Sequence, residues 1–350
     1  MSLKGIGNMT TRIGQWMMVL LLLGCASAKP NVDDPTTPAK AMSVEEARKV
    51  VTDFAASLGN RVESPAPPPT SVADVVAIFK NDDIFRFDQA IEYLNGVQGL
   101  ESLAMRAAFE AYRGGMQIGV ADFFIASVKK LEAESAQLEG KKERGVALSN
   151  DEQDKLAALK SQAAQQRRVS DALRVLAGTS LETAARLAGD LISQYPDQPE
   201  GYQTMARVHQ LRGQWKLFDE KIAQAERLLA GKPSFSVQYQ RAFEAWRRNA
   251  SEDEARALMV KLREALPDYG RIQAALVLLQ PDIASRYQEL QKLKELCPHH
   301  LLVLLAEPSI RKEYETASAI REALAPAAVP EAGETPVGDE GDSTSAASEE

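Results

Sequence analysis

Histidine and cysteine are scarce in this chain of 350 residues, which contains three histidines and two cysteines. The two cysteines do not have a metal-binding spacing, and the sequence lacks the G-x-S-x-G, Walker and H-E-x-x-H motifs. Side chains adjacent in a helix point in different directions, so His299 and His300 are not a predicted metal site. The sequence therefore predicts no catalytic site and no cofactor, and we expect a protein that is not an enzyme.

Two further absences restrict the fold and the partners. No segment alternates apolar and polar residues with a period of two over a useful length, and apolar residues instead recur at helical spacing. The formal charge is -8, from 41 basic and 49 acidic residues. Because a nucleic-acid-binding surface requires a basic patch, nucleic acid is not an expected partner. We predict an all-α protein without strands.

The N-terminal residues have the pattern of a secretion signal. A basic segment precedes an apolar run at 13–23 that is too short to cross a bilayer comfortably. The run ends in Leu-Leu-Gly-Cys at 22–25, which resembles the lipobox of bacterial lipoproteins. The resemblance implies cleavage before Cys25, lipidation of its thiol and stable anchoring through several acyl chains. The alternative is an uncleaved signal anchor in which the cysteine is incidental.

The residues after Cys25 bear on localisation. Ala26 and Ser27 stand where an aspartate would retain an enterobacterial lipoprotein in the inner membrane. The resemblance therefore implies the cell envelope, with the protein anchored by lipid in the outer membrane and facing the periplasm. We divide the sequence into a signal peptide at 1–24, a lipidated cysteine and flexible tether at 25–42, an N-terminal helical region with a long hairpin at 43–176, a repeat region at 177–325, and a disordered acidic tail at 326–350.

Capping patterns and helical spacing predict a long hairpin. A serine followed three residues later by an acidic residue marks three helix starts, at Ser43, Ser71 and Ser149. A glycine pair at 114–115 is expected to interrupt the helical pattern. After it, the charge-rich segments Met116–Leu138 and Asn150–Leu176 should pair as antiparallel helices. The hairpin is either an arm that contacts a partner or a solvated helix pair that lengthens the scaffold.

The C-terminal half contains internal repetition. Proline recurs at an interval of about 34 residues, at Pro196, Pro233, Pro267 and Pro298. The segment Pro199–Lys232 resembles a tetratricopeptide (TPR) repeat through Tyr202, Met205, Ala206, Gly213, Trp215 and Ala225. Val237–Pro267 is a second match, although Ala250 replaces the turn glycine, and Gly270–Pro298 is a degraded further unit. The resemblance implies a TPR-like α-solenoid of antiparallel helix pairs, with wide gaps between helices filled by Tyr202, Trp215, Tyr239 and Trp246.

In such solenoids the first helix of each pair lines an inner groove. The resemblance places seven polar residues there: Gln203, Arg207, Gln210, Gln240, Glu244, Arg247 and Arg248. Because arginine forms bidentate bonds with carboxylates, the three arginines can hold an acidic segment or the C-terminus of a partner protein. The alternative is that these residues are a solvated surface. Cys297 has no disulfide partner once Cys25 is lipidated, and we predict a buried apolar role for it.

These patterns favour binding functions of two classes. The first is a lipid-anchored, periplasm-facing TPR-like scaffold for envelope assembly, which would bind envelope proteins through its groove and the membrane through its lipid. The alternative is a solute-transport accessory, similar to the helical-repeat lipoproteins associated with TRAP transporters, which would bind a small ligand or a periplasmic binding protein. A continuous apolar cavity would favour transport, and a shallow polar groove would favour scaffolding.

Replacement of Cys25 by alanine tests the predicted anchor. Only the thiol of this residue can carry the lipid, so we expect Cys25→Ala to yield an uncleaved or soluble protein. Metabolic labelling with a palmitate analogue, followed by membrane fractionation, measures the effect. Label retained by the Cys25→Ala protein would contradict the prediction.

Overall fold

The computed structural model describes residues 42–59, 67–83 and 86–324. Within these residues the protein forms twelve α-helices and no β-strand, which confirms the predicted all-α fold. The helices are α1 (Val44–Ser57), α2 (Val72–Lys80), α3 (Phe87–Asn95), α4 (Leu100–Glu143), α5 (Asn150–Gln194), α6 (Pro199–Leu211), α7 (Trp215–Leu229), α8 (Phe235–Arg247), α9 (Glu252–Ala265), α10 (Gly270–Leu278), α11 (Ile283–Leu296) and α12 (Leu301–Leu324).

Local capping chemistry fixes three of the helix starts. Ser43, Ser71 and Ser149 are the N-cap residues of α1, α2 and α5, and each hydroxyl accepts a hydrogen bond from a backbone N–H three residues later. At the second and third caps, the carboxylates of Asp74 and Glu152 accept a hydrogen bond from the backbone N–H of the serine. These reciprocal bonds satisfy N–H groups that a helix start otherwise leaves unpaired.

The predicted hairpin is present as α4 and α5, and both helices are longer than the sequence indicates. Helix α4 begins before the glycine pair at 114–115, and α5 continues through position 176, where the sequence predicts a segment boundary. Ion pairs join the outer part of the two helices, including Lys160 with Glu139 and Lys141 with Glu152. These pairs are solvent-exposed, so they contribute little to stability and chiefly keep this part soluble.

The glycine pair continues a helix because neighbouring helices approach it closely. A Cβ atom on Gly114 would lie 2.9 Å from the side chain of Leu181 on α5, and one on Gly115 would lie 3.2 Å from Nη2 of Arg207 on α6. Glycine costs about 1 kcal/mol in a helix interior relative to alanine, and the packing of α5 and α6 against α4 offsets that cost. The pair therefore marks a crossing of helices rather than a helix end.

Three antiparallel helix pairs follow the hairpin, where the sequence predicts them: α6 with α7, α8 with α9, and α10 with α11. Alanines allow the helices to approach one another, and Ala206, Ala225, Ala242 and Ala255 are completely buried. Pro199 begins α6 at a position where its missing N–H costs nothing. The pairing agrees with a helical-repeat architecture, and membership of the tetratricopeptide family stays a prediction.

The last helix returns to the beginning of the body. Helix α12 packs against α4 and α1, and one core contains side chains from α1 to α5 and from α10 to α12, among them Phe54, Phe124 and Leu305. Arg271 on α10 donates to the backbone carbonyl of Phe79 on α2. The helical array is therefore closed on itself, and this closure creates an interior that an open groove does not have.

Several predicted segments lie outside the described residues. These are the signal peptide, Cys25, nearly all of the tether and the acidic tail. Within the part of the sequence that the structure describes, none of the helices has the length and apolar character needed to span a bilayer.

Alanine substitutions at two glycines of α4 test the helix crossing. Gly114→Ala should destabilise the fold by about 1 to 3 kcal/mol, because the new methyl group would overlap the fully buried Leu181 side chain. Gly140→Ala is the matched control, since a Cβ there meets no atom within 4 Å and alanine favours the helix by about 1 kcal/mol. Urea unfolding measures both variants, and equal stabilities would refute the close approach.

Candidate ligand-binding site

Arg207 of α6 is a buried cation. Its residue surface is 8% exposed, and Nη1 donates to Gln210 Oε1 at 2.6 Å. The guanidinium carbon lies 4.2 Å from the ring centroid of Phe243 and 5.3 Å from that of Tyr239. Within the described residues Arg207 forms no ion pair, and the charges that act on it come from two tyrosines and two arginines. Burial lowers the pKa of Arg207, but an arginine remains charged at neutral pH.

A second buried guanidinium, that of Arg271, lies nearby on α10. Its carbon atom is 3.5 Å from the ring centroid of Phe79 and 4.1 Å from that of Tyr112, and Nη2 donates to the Phe79 carbonyl at 3.1 Å. Nε has no hydrogen-bond partner among the residues that the structure describes. The charge of Arg271 contributes to the lowered pKa of Arg207, so the two cations repel each other.

A buried carboxylate that interacts electrostatically with Arg271 belongs to Asp82, which follows α2. It is fully buried in a left-handed backbone conformation, with φ at 49°. Oδ2 accepts a hydrogen bond from the Tyr112 hydroxyl at 2.9 Å, while Oδ1 has no partner among the described residues. Desolvation raises the pKa of Asp82 to about 7, although Arg271 and Tyr112 oppose the rise. Its ionisation near neutral pH is therefore weaker than that of an ordinary aspartate.

His300 closes the cluster on the side of α12. The backbone N–H of Leu302 donates to its Nδ1 at 3.0 Å, which places the ring proton on Nε2 in the neutral tautomer. Nε2 lies 3.9 Å from Asp82 Oδ2. Desolvation lowers the pKa of His300 to about 3, and burial raises the pKa of the Cys297 thiol to about 12. His300 is therefore neutral, and Cys297 is the buried, unreactive thiol that the sequence predicts.

Two chambers meet at these residues. The larger has a volume of about 260 Å³ and lies among α2, α4, α6, α8 and α10. The smaller, of about 60 Å³, lies among α4, α8, α10 and the start of α12. Both chambers are bordered by the same four side chains, those of Tyr112, Arg207, Tyr239 and Arg271. This shared wall combines two cations with two aromatic hydroxyls in an otherwise largely apolar interior.

The predicted groove separates into two groups. Gln203, Arg207, Gln210 and Gln240 lie together at the interior, where they are bonded to one another. Gln210 Nε2 donates to the Gln240 carbonyl at 2.7 Å, and Gln240 Nε2 donates to the Gln203 carbonyl at 3.0 Å. These bonds hold α6 against α8 and fix the position from which Arg207 reaches the chambers.

The other three predicted residues have ionic partners. Arg247 borders the smaller chamber and bonds to Asp122 of α4 at 3.0 Å. Arg248 bonds to Asp219 at 2.7 Å and to Glu244 at 2.9 Å, away from both chambers. The three arginines predicted to form a single carboxylate clasp are therefore not grouped as the repeat register indicates, because the end of α8 turns Arg247 and Arg248 to different neighbours.

Sequence reasoning missed Tyr112, Arg271 and Asp82. Tyr112 and Asp82 come from α4 and the turn after α2, outside the predicted repeats, and Arg271 lies at the start of the degraded unit, to which the resemblance assigned no groove positions. Four aromatic residues were predicted to fill gaps between helices. Two of them, Tyr239 and Trp246, line the chambers. The glycine pair beside Tyr112 was a sequence signal that could have indicated this site, because glycines inside a helix allow another helix to approach closely.

No protein-family model matches this sequence, and no curated protein matches it. Within the described ranges, no group of three or more histidine, cysteine, aspartate or glutamate side chains is arranged to hold a metal ion.

The raised pKa of Asp82 makes stability depend on pH. The folded-state value is about 7 and the ordinary value is 3.8, so the folded protein binds a proton that the unfolded protein has lost between these limits. This stabilising contribution is complete below pH 3.8 and is lost as the pH rises through 7. Relative to Asp82→Asn, wild-type protein should lose about 1 kcal/mol of stability between about pH 6.5 and 8. Thermal melting across this range measures it.

The difference in pH dependence between wild type and Asp82→Asn removes the opposing effect of His300, which is common to both proteins. Its folded-state pKa of about 3 lies below the ordinary value of 6.5, so its contribution is present above pH 6.5 and is lost as the pH falls. Asparagine tolerates the left-handed backbone and can still accept from Tyr112. An Asp82→Asn protein with the same pH dependence as wild type would show that Asp82 does not titrate near neutrality.

Proposed function

We propose that this protein binds a small organic anion in its interior, as a lipid-anchored accessory of solute transport in the cell envelope. One observation carries the proposal: Arg207 is a buried cation that borders both chambers and has no carboxylate partner among the described residues. An unpaired buried charge costs several kcal/mol, so such groups are paired or serve a ligand. A bound anion would supply the missing charge.

The position of the cations favours a small ligand over a peptide. Arg207 and Arg271 border concave, partly open space between the helices, and the larger chamber has the volume of a small organic molecule. The glutamines of the predicted groove already bond to each other, and Arg247 and Arg248 already bond to carboxylates. Docking of envelope proteins through the groove stays a prediction from the sequence, and it would require these bonds to be exchanged.

The envelope location in this proposal rests on the lipobox resemblance. A lipid at Cys25 would tether the body to the membrane through the segment that precedes α1, and a tethered binding protein acts close to membrane partners. The likeness to the lipoproteins associated with TRAP transporters supports a role beside a transporter. The Cys25→Ala experiment tests this part of the proposal, and its outcome does not depend on whether the chambers bind a ligand.

Replacement of Arg207 by methionine tests the proposal. Methionine keeps much of the length and the apolar stem of the arginine and removes the buried charge. We expect Arg207→Met to abolish stabilisation by small carboxylates such as benzoate and hexanoate, and to raise the melting temperature of the ligand-free protein, since an unpaired charge is gone. A ligand at about a hundred times its Kd stabilises a protein by about 2.7 kcal/mol, which a thermal-melting assay detects readily.

Arg248→Met is the matched control, because Arg248 lies outside both chambers and is partly exposed. It should leave carboxylate binding unchanged. The proposal would be overturned by wild-type protein that no carboxylate stabilises, or by an Arg207→Met protein that binds carboxylates as well as wild type does.

A further inference from the structure

The charges around the chambers limit the ligand to one negative group. Arg207 and Arg271 supply the positive charge of the shared wall, and Arg247 of the smaller chamber is already bonded to Asp122. The larger chamber is bordered by one acidic residue among those described, Glu200. A second carboxylate on a ligand in the larger chamber would therefore approach Glu200, and like charges repel.

The geometry of the two arginines favours a carboxylate as that group. Both guanidinium groups lie against aromatic rings, Arg207 against Phe243 and Arg271 against Phe79 and Tyr112. Guanidinium N–H bonds point outward in the plane of the group, so stacking on a face leaves the edges available as donors. A planar carboxylate accepts hydrogen bonds from such edges, and it neutralises the charge that the rings do not.

The remainder of the ligand has to fit an apolar space. Phe79, Phe235 and Met105 border the larger chamber, and Ala104 and Ala108 of α4 are small enough to leave room beside them. A cavity of about 150 Å³ with apolar walls can hold a benzene molecule. At about 260 Å³ the larger chamber has room for a phenyl ring with a short aliphatic extension.

We infer that the ligand is a monocarboxylic acid with an aromatic or branched apolar body, held with its carboxylate at Arg207 and Arg271 and its body in the larger chamber. The inference rests on the proposed function and specifies its ligand class. The acid binds as its carboxylate anion, and no bond is made or broken. Dicarboxylates and neutral amides of the same size are excluded by charge.

Titration calorimetry on the full-length wild-type protein tests the ligand class with three probes. 3-Phenylpropanoate carries one charge and an aromatic body, succinate carries two charges and no apolar body, and 3-phenylpropanamide is the neutral analogue of the first. We expect 3-phenylpropanoate to bind at least about tenfold more tightly than succinate, and the amide to show no measurable binding.

A pair of substitutions tests where the body lies. Ala108→Leu extends a side chain into the larger chamber without changing any charge, and should weaken binding of 3-phenylpropanoate by about tenfold or more. Ala158→Leu is the matched control on α5, where the residue is exposed, and should leave binding unchanged. Thermal melting establishes that both proteins are folded, and Ala104→Leu replaces Ala108→Leu if the latter is not.

The outcomes separate the two proposals. Succinate binding as tightly as 3-phenylpropanoate, with loss in Arg207→Met, would overturn the ligand class and leave anion binding standing. Equal binding of the amide would overturn the role of charge in the ligand class. Normal binding by a folded chamber-filling variant would overturn the position of the body. Absence of binding by either carboxylate, together with no stabilisation by benzoate or hexanoate, would overturn the proposed function itself.

Discussion

Desolvation of two guanidinium groups is the constraint that shapes the interior of this protein. A buried arginine keeps its charge, so the fold has to replace the water that each cation loses. It does so with aromatic faces and polar oxygens: Arg271 lies between helices against Phe79 and Tyr112, and Arg207 lies against Phe243. Ring faces carry only partial negative charge, so these contacts compensate part of the cost. The remainder is the free energy available to an entering anion.

The protein's own carboxylate does not complete this compensation. Asp82 is held at the end of α2, where Gly270 allows α10 to approach it; a Cβ on Gly270 would lie 2.7 Å from Oδ2. The same enclosure that brings Asp82 near Arg271 also desolvates it, which raises its pKa and weakens its ionisation. His300 adds no charge, because its ring is neutral. Local packing thus keeps the shared wall positive, and the excess charge is a property of the fold rather than of one residue.

Structural features that depend on residues close together in the sequence could be predicted. Features that depend on contacts between the C-terminal helices and the start of the body could not. Serine capping patterns located Ser71 and Ser149 correctly, and helical spacing located the hairpin and the three helix pairs. The repeat register also grouped Arg207 with the glutamines that hold it. It misplaced Arg248, because the end of α8 turns this side chain to Asp219 and Glu244 instead of the chambers. Contacts between residues as far apart as Arg271 and Phe79 leave no periodic trace in a sequence.

The packing of the C-terminal helices against the start of the body affects the order in which contacts form during folding. Helix pairs such as α6 with α7 join residues close in sequence and can form early, whereas the bond from Arg271 to the Phe79 carbonyl joins residues 192 positions apart. Loop-closure entropy has to be overcome before that contact forms, so the shared wall is assembled after the repeats around it. The proposed ligand pocket would then be the last part of the body to form, and a molecule that has not yet closed would present both cations to water, where they have no preference for an apolar acid.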